Sequence, residues 1–424
     1  MLSRRGTISI ISCLLIAIVS ACQKEYSDSS YHKYEKYSLQ KYYRSHEEAI
    51  DLAINSISLL DGQNSTCNRT IQSLKEYKAP TAKAINEQSE ALLYVINFED
   101  NQGFSIIAAN KSISPVIAVT ESGHYIPGEP SGIDAFDQYM NSIIAELSLQ
   151  DIPDTTDHDD DPYYSYYRDW YQDSGRPAII NTQWGQGNIY GSYCPNNISG
   201  CVATAIAQIM AYHEYPDSLH ISCDMEGDYV EGDVLFFDWD LIKQHESTHN
   251  TLQNCNPVHK QISALLREIG VRANMQYYSD GSAPMRTPIT ILPKLGYRSD
   301  YFTQHPNISD IQSSLDHNMP ILVSVDSSVA GHEWIADGYK DRHFYRNVYI
   351  KYLEDDEYEW SHTEDLGVSH YVHMNWGWDG DCNGYFLFGS YETSGGEIYD
   401  TYHTVEMDFG RNVRMLFNIM PDIY

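Results

Sequence analysis

Apolar residues first recur with the period of a helix between residues 49 and 60. Ser45 and Glu48 precede this stretch with the spacing of a capping box, and Gly62 follows it as a stop signal. A second amphipathic stretch spans residues 133–147. Between the two helices lie three short apolar runs rich in β-formers, at residues 92–98, 104–109 and 116–120. The order helix, strands, helix predicts a small α+β domain.

Two polar segments flank this first domain. Residues 22–40 are rich in tyrosine without apolar periodicity, which is typical of a flexible stalk. Residues 151–165 begin with prolines and a run of aspartates, which predicts an acidic linker; a solvated loop inside one domain is the alternative. Residues 166–424 mix a few helices with many short strands and glycine turns, which predicts a larger α+β domain.

The first 22 residues predict export from a bacterial cell. Two arginines precede an apolar stretch at residues 8–19, which is too short to span a bilayer as a helix. Residues 19–22 read Val-Ser-Ala-Cys, which resembles the lipobox of bacterial lipoproteins, with Cys22 as the lipidated residue. An ordinary cleavage site beside an incidental cysteine is the alternative. We therefore predict a signal peptide at residues 1–21 and a lipid-anchored protein of the cell envelope or cell surface.

Composition excludes several classes of protein. A hydrophobic content of 42% suffices for a buried core and excludes a wholly disordered chain. Lys plus Arg is 27 and Asp plus Glu is 59, so the formal net charge of −32 repels phosphate backbones, and we expect no nucleic-acid partner. Cys13 lies in the predicted signal peptide, and Cys22 is the predicted lipidation site. The six other cysteines show no zinc-finger spacing; they are Cys67, Cys194, Cys201, Cys223, Cys255 and Cys382. Their number alone does not decide between disulfides and a working thiol.

Cys201 is a candidate nucleophile because of its place in the helical pattern. Gly200 precedes it, small and apolar residues favour a helix over residues 203–210, and Pro216 follows. The unsatisfied N–H groups and the dipole of a helix N-terminus stabilise a thiolate, which is the reactive form of cysteine. A buried structural cysteine is the alternative interpretation.

His332 and Asn375 are the candidate base and its orienting group. His332 begins a glycine-bounded stretch at residues 331–338 that is predicted to be a strand. Asn375 follows a predicted strand at residues 371–374, and its amide oxygen could accept the ring N–H of a histidine. A satisfied histidine and a turn-stabilising asparagine are the alternatives.

Gln183 is the candidate oxyanion donor. It precedes Cys201 along the chain, and its side-chain amide could join the Cys201 backbone N–H around a developing negative charge. A single glutamine is a weak signal. The order Gln, Cys, His, Asn is much more specific than any one of the four residues.

Taken together, these blocks resemble the streptopain family of bacterial cysteine proteases. The similarity rests on Gly200-Cys201-Val-Ala-Thr-Ala, Gly331-His332, Asp337-Gly338 and His373-Met-Asn375-Trp-Gly-Trp378. Residues 268–277 and 281–282 match as well. The first domain resembles the pro-domain of that family, most clearly at residues 103–107 and 114–117.

The resemblance implies a papain-like α+β peptidase domain preceded by a small α+β pro-domain. It implies that Cys201 is the nucleophile, His332 the general base and acid, and Gln183 the oxyanion donor. It matches Asn375 to the family residue beside the histidine and Trp376 to the tryptophan next to it.

The resemblance also implies an endopeptidase made as a zymogen. Residues 41–150 would be the pro-domain, an intramolecular inhibitor that is cut away, and residues 166–424 the peptidase domain. Protein or peptide substrates and no cofactor are expected. The alternative is a catalytically silent surface module that binds partners or inhibits proteases; acyl transfer to an amine would use the same residues.

Three positions depart from the family pattern. Glu333 follows the histidine where the family has a small residue. Residues 340–371 form a longer acidic insertion, which we expect to be a loop that narrows the cleft or binds a partner. Residues 379–384 resemble half of a calcium-binding loop, but Ser390 stands where such a loop requires a glutamate, so no calcium is expected.

Overall fold

The structure is a computed structural model, and its described residues are 43–61, 69–78, 91–111, 113–148, 163–243, 257–279, 281–303, 306–325, 332–352, 357–391, 405–407 and 413–423. The predicted signal peptide, the stalk with Cys22, and residues 151–162 of the predicted linker lie outside them. Within the described ranges, no helix is long and apolar enough to cross a membrane.

The first domain begins with the predicted capping box. The Ser45 hydroxyl accepts the Glu48 backbone N–H at 3.2 Å, and the Glu48 carboxylate accepts the Ser45 N–H at 2.6 Å. The elements of this domain are α1 His46–Ser56, α2 Ser58–Asp61, β1 Ile71–Tyr77, β2 Leu93–Phe98, β3 Phe104–Ala108, β4 Val116–Thr120 and α3 Asp134–Leu147. The sequence pattern missed β1, because this partly exposed edge strand carries polar residues on both faces.

The second domain begins with a strand rather than with a linker, since residues 163–165 already belong to β5. Its helices are α4 Cys201–His213, α5 Trp239–Lys243, α6 Pro257–Arg272, α7 Pro288–Ile291 and α8 Ile308–Asp316. Its strands are β5 Tyr163–Arg176, β6 Ser218–His220, β7 Val234–Phe236, β8 Gln276–Tyr277, β9 Ser282–Ala283, β10 Tyr297–Arg298, β11 Tyr301–Thr303, β12 Ile321–Val325, β13 His332–Tyr352, β14 Glu359–Asn375, β15 Gly384–Tyr391, β16 Val405–Met407, β17 Val413–Phe417 and β18 Met420–Pro421.

One sheet of twelve described strands runs through both domains. Its main order is β1-β2-β3-β4-β15-β14-β13-β12-β17-β11, with β16 on β15 and β5 on β13. The domains meet where β4 pairs antiparallel with β15, with Gly384 opposite Thr120 and Phe386 opposite Ala118. The expected α+β class is confirmed, and the two domains share a sheet.

The two faces of the sheet bury two cores. On one face, α3 brings Phe136 against Trp376 and Phe386, with ring centroids 6.2 and 6.1 Å apart. On the other face, α4 packs on β13 and α6 packs on α4, and the buried residues of this core include Ile206 and Leu266. The burial of apolar surface on both sides stabilises the shared sheet.

The prediction that residues 340–371 form a loop was wrong. Residues 340–352 continue β13 and residues 359–371 belong to β14, so the insertion is a long antiparallel hairpin. β5 pairs with the outer part of β13 to give a three-stranded ribbon. Alternation along β13, in which every second side chain is buried from residue 342 to residue 348, explains why the segment forms a strand.

A buried ion pair holds this ribbon against the first domain. The Arg342 guanidinium donates to both carboxylate oxygens of Asp173 at 2.7 Å and lies 3.9 Å from the ring centroid of Tyr171. It also donates to the Ser58 hydroxyl of α2 at 2.8 Å. The side chains of Arg342 and Asp173 are only 1% and 6% exposed, so each needs the other to offset its lost hydration.

Replacing Arg342 with methionine is expected to destabilise the chain by about 3–5 kcal/mol, because it leaves Asp173 buried without its cation. Urea unfolding followed by tryptophan fluorescence measures this effect. Arg298→Met removes an exposed arginine as a control and should change stability by less than about 0.5 kcal/mol. Equal midpoints for Arg342→Met and the unmodified chain would contradict the assignment.

Candidate active site

Cys201 is the first residue of α4, as the sequence predicts. Gly200 caps this helix with φ +89°, a left-handed conformation that favours glycine. A Cβ at this position would also collide with the Ser282 hydroxyl. The glycine therefore lets the preceding loop turn sharply and places the Cys201 thiol at the positive end of the helix.

The Cys201 thiol is buried in this state. Burial raises the pKa of Cys201 above its ordinary value of 9.0, and hydrogen bonds to the backbone of Glu333 and Val202 offset only part of this shift. The thiol is therefore protonated near neutral pH, in spite of the helix N-terminus.

His332 is the first residue of β13 and is also buried. Its Nε2 lies 3.3 Å from the Trp376 carbonyl oxygen, and its ring lies between Trp334 and Trp378 with centroids 6.2 and 6.0 Å away. Because a carbonyl oxygen only accepts, Nε2 carries the proton and Nδ1 has the free lone pair. Burial lowers the pKa of His332, so the neutral ring is the stable form.

The backbone of Glu333 joins these two groups in space. Glu333 follows His332 in β13, and its backbone lies close enough to the Cys201 thiol to lower the pKa of that thiol. The structure thus brings the predicted nucleophile and the predicted base to one place. The Glu333 carboxylate accepts the Ser324 hydroxyl of β12 at 2.7 Å and is buried in the second domain.

Asn375 does not make the bond predicted for it. Among the described residues, no hydrogen bond joins Asn375 to His332, whose Nε2 pairs instead with the carbonyl oxygen of the next residue, Trp376. The Asn375 side chain donates to the Thr182 carbonyl at 2.9 Å and to Gln208 Oε1 at 3.3 Å. Its oxygen accepts the Gly377 N–H at 3.1 Å.

Gln208 is a site residue that the sequence reasoning missed. Its Oε1 also accepts the Trp184 N–H at 3.1 Å, so Gln208 and Asn375 together hold the chain on both sides of Gln183. The signal in the sequence was a polar residue inside an otherwise apolar helix. Gln208 is fully buried in the structure, and a buried polar side chain requires hydrogen-bond partners.

Gln183 and Trp376 both lie near the turn at residues 380–382. Gln183 is exposed and lies against Gly380, where a Cβ would come within 2.8 Å of Gln183 Oε1. Trp376 is fully buried, and its ring N–H donates to the Cys382 carbonyl at 2.9 Å. Trp376 thus contributes its backbone oxygen to His332 and its ring to the core beneath the site.

The first domain lies over this site. The Phe136 ring of α3 contacts the Trp376 ring from the domain in front. Asp134, the first residue of α3, is close enough to act electrostatically on Cys201 and His332. Burial has the larger effect on both pKa values, and the Asp134 carboxylate in addition raises the pKa of each group. Substrate access in this state therefore requires the first domain to move.

The remaining described cysteines do not form disulfides. Cys194, Cys223 and Cys382 are free thiols, and burial raises the pKa of Cys194 to about 11 and that of Cys382 to about 12. Cys67 and Cys255 lie outside the described residues, so their pairing stays undecided.

Comparison with known proteins gives two family matches. Residues 184–386 match the Peptidase C10 family, and residues 41–144 match the Spi protease inhibitor. Streptopain of Streptococcus pyogenes is 24% identical over 383 residues, which cover 82% of this chain and 85% of the relative. The thiol protease/hemagglutinin PrtT of Porphyromonas gingivalis is 21% identical over 361 residues, which cover 73% of this chain and 36% of the relative.

A solved structure, a prointerpain A fragment of Prevotella intermedia, has 18% sequence identity and a TM-score of 0.47. The match covers 82% of this chain and 98% of that chain.

Alkylation of Cys201 should report its buried, protonated state. In the freshly purified full-length chain, we expect the rate with iodoacetamide to be low at pH 7 and to keep rising beyond pH 9, because the pKa of the thiol is raised. Peptide mass mapping of Cys201 gives the rate, intact mass verifies that the chain is uncut, and glutathione serves as the free-thiol control. A plateau below pH 8 would show that the thiolate already exists in this state.

Proposed function

We propose that the chain is an exported endopeptidase made as a zymogen, because residues 184–386 match the Peptidase C10 family and the domain in front matches the Spi protease inhibitor. These matches confirm the predicted enzyme class, a cysteine peptidase, and the resemblance to the streptopain family. The reaction, the roles of single residues and the export route are the proposal.

The observation that carries the proposal is the contact of the Cys201 thiol with the backbone of Glu333, the neighbour of His332. It joins a cysteine at a helix N-terminus to a histidine whose Nδ1 lone pair is free. A nucleophile beside a base, with the base oriented by a third group, is the arrangement that activates a thiol. Here the orienting group is the Trp376 carbonyl.

The reaction follows from these positions. His332 Nδ1 takes the Cys201 proton, the thiolate sulfur attacks the peptide carbonyl carbon, and the carbonyl oxygen becomes an oxyanion. The Cys201 N–H and the Gln183 side-chain amide donate to that oxyanion. The imidazolium returns the proton to the leaving amine as the C–N bond breaks, which leaves a thioester. His332 then deprotonates a water that hydrolyses the thioester and restores the thiol.

Asn375 acts in this scheme through the chain that carries Gln183. Its bond to the Thr182 carbonyl and its pairing with Gln208 fix the backbone on either side of Gln183. Asn375 is therefore a positioning residue for the oxyanion donor, and the carbonyl of Trp376 orients the histidine.

Latency follows from the buried state of the two reacting groups. A protonated thiol and a neutral imidazole in a water-poor site do not form the thiolate readily. Removal of the first domain, through a cut at residues 151–162, would hydrate the site and open it to protein or peptide substrates. The full-length chain is then its own inhibitor.

Export and membrane attachment are supported by the N-terminal residues alone. Residues 1–21 have the parts of a signal peptide, and Cys22 stands at the lipidation position of the lipobox-like run. A single lipidated terminus would hold the protease at the cell envelope until processing releases the peptidase domain.

Cys201→Ala should abolish self-processing and reduce casein hydrolysis by roughly 10⁴-fold or more, because the nucleophile is lost. The chain without residues 1–22 is incubated with reductant and followed by intact mass and by labelling with a thiol-reactive peptide. Cys223→Ala is the matched control, since it removes a free, partly exposed thiol remote from His332.

The chain with Cys201 intact should lose the residues up to about position 150 and bind one probe per mature chain. Full activity in Cys201→Ala would sink the proposal. If trace trypsin removes the first domain and the remaining domain neither takes the probe nor hydrolyses casein, the chain is a silent binding or inhibitory module instead.

Cys22→Ser should release the full-length chain from the membrane fraction of a bacterial host that lipidates exported proteins. The expected reason is loss of the only sulfur at the predicted cleavage site that can carry the lipid. Detergent phase partitioning and intact mass measure the outcome, with Cys13→Ser as the control within the signal peptide. Unchanged partitioning of Cys22→Ser would show that Cys22 carries no lipid.

A further inference from the structure

A buried histidine outside the proposed catalytic set lies between carboxylates of two domains. His373 is 3% exposed; its Nδ1 lies 2.6 Å from Asp337 Oδ1, and its Nε2 lies 3.5 Å from Glu121 Oε1. The rings of His373 and Tyr385 meet in a T-shaped arrangement, with centroids 5.1 Å apart. Both ring nitrogens thus face an acceptor.

The two carboxylates come from different domains. Asp337 lies on β13, beside His373 on β14, and both belong to the peptidase domain. Glu121 follows β4 of the first domain, and its backbone N–H donates to the Asn383 carbonyl at 2.7 Å where β4 meets β15. The Glu121–His373 contact therefore exists only while the first domain is docked.

The two carboxylates favour a charged imidazole. Burial opposes the charge, but the Asp337 and Glu121 carboxylates outweigh it and raise the pKa of His373 to about 10. The ion-pair contact with His373 lowers the pKa of Glu121, to which Arg69 adds a weaker attraction. Because the Glu121 carboxylate is ionised above its lowered pKa and His373 is protonated below about 10, the ion pair is complete throughout the neutral range.

We propose that His373 is the charged recognition point of the peptidase domain for the first domain, and that it selects a carboxylate placed directly after the docking strand β4. This deepens the regulation of the proposed zymogen and rests on that function only where activation is concerned. The docking contact itself is independent of catalysis.

The charged contact adds a directional interaction to the hydrogen bonds that already cross the interface, such as that between the Ser114 and Ser369 hydroxyls at 2.9 Å. The aromatic contacts of Phe136 and Tyr139 with Phe386 bury apolar surface, which is non-directional. A slip of β4 by one residue along β15 would invert every side chain of the strand. The Glu121–His373 pair forms in one register, so it specifies how the sheet is joined.

The recognition point does not depend on the first domain for its own structure. Asp337 stays paired with His373, and its second oxygen accepts the Ile180 N–H at 3.0 Å, which ties the pair to the segment before Gln183. When the first domain leaves, water replaces Glu121 and the His373–Asp337 pair remains. Docking therefore meets a preformed cation.

The test measures docking without catalysis. Full-length Cys201→Ala chains with and without Glu121→Gln are compared by amide hydrogen exchange at pH 7. Glu129→Gln, an exposed glutamate of the same domain, is the matched control. We expect Glu121→Gln to speed exchange in peptides covering 116–121 and 384–388 by about tenfold, which corresponds to roughly 1.4 kcal/mol, and Glu129→Gln to change nothing.

Two results would overturn the proposal. One is unchanged exchange at the β4–β15 contact in Glu121→Gln. The other is faster exchange spread equally through α1 and β2, which would mean that the substitution loosens the first domain itself.

Activation gives a second readout in the chain with Cys201 intact. Glu121→Gln should lose its first domain about tenfold faster than Glu129→Gln if opening limits self-processing. Absence of processing in every variant would count against the proposed function. The hydrogen-exchange result in Cys201→Ala would then decide by itself whether His373 recognises the first domain.

Discussion

The pairing of β4 with β15 is the contact on which the rest of the structure depends. It joins the sheets of the two domains into one, and it fixes the position of α3 over the face of the sheet that carries Trp376. Because sheet pairing specifies register, α3 cannot slide without breaking the pairing. The first domain therefore covers the site in one defined orientation.

Burial changes the chemistry of the two candidate residues, Cys201 and His332. A helix N-terminus by itself favours a thiolate, yet in the docked state the loss of hydration outweighs the helix, and the Cys201 thiol remains protonated. The same burial keeps His332 neutral. His373, only as buried as His332, is charged because two carboxylates flank it. Local partners, rather than burial alone, decide which histidine carries a proton.

Several elements could be read from the sequence because their cause is local. The capping box of α1, the apolar runs of β2 to β4 and the glycine before α4 each act within a few residues, and the structure has them where the pattern predicts. β1 could not be read, since its polar edge gains its order from the hydrogen bonds of β2. The hairpin of β13 and β14 was mistaken for a loop because its charges are neutralised by partners on β5, such as Asp173 for Arg342.

The sequence by itself indicated the resemblance to the streptopain family, the two-domain order and the candidate pair Cys201 and His332, because motif spacing and helix signals are encoded in adjacent residues. Only the tertiary structure decided the partners of side chains that meet across strands. In the structure the His332 ring pairs with the Trp376 carbonyl, and Asn375 and Gln208 bind the backbone on either side of Gln183. Glu121 lies beside His373. These contacts join residues distant in sequence, and their geometry depends on strand register and burial, which no local pattern specifies.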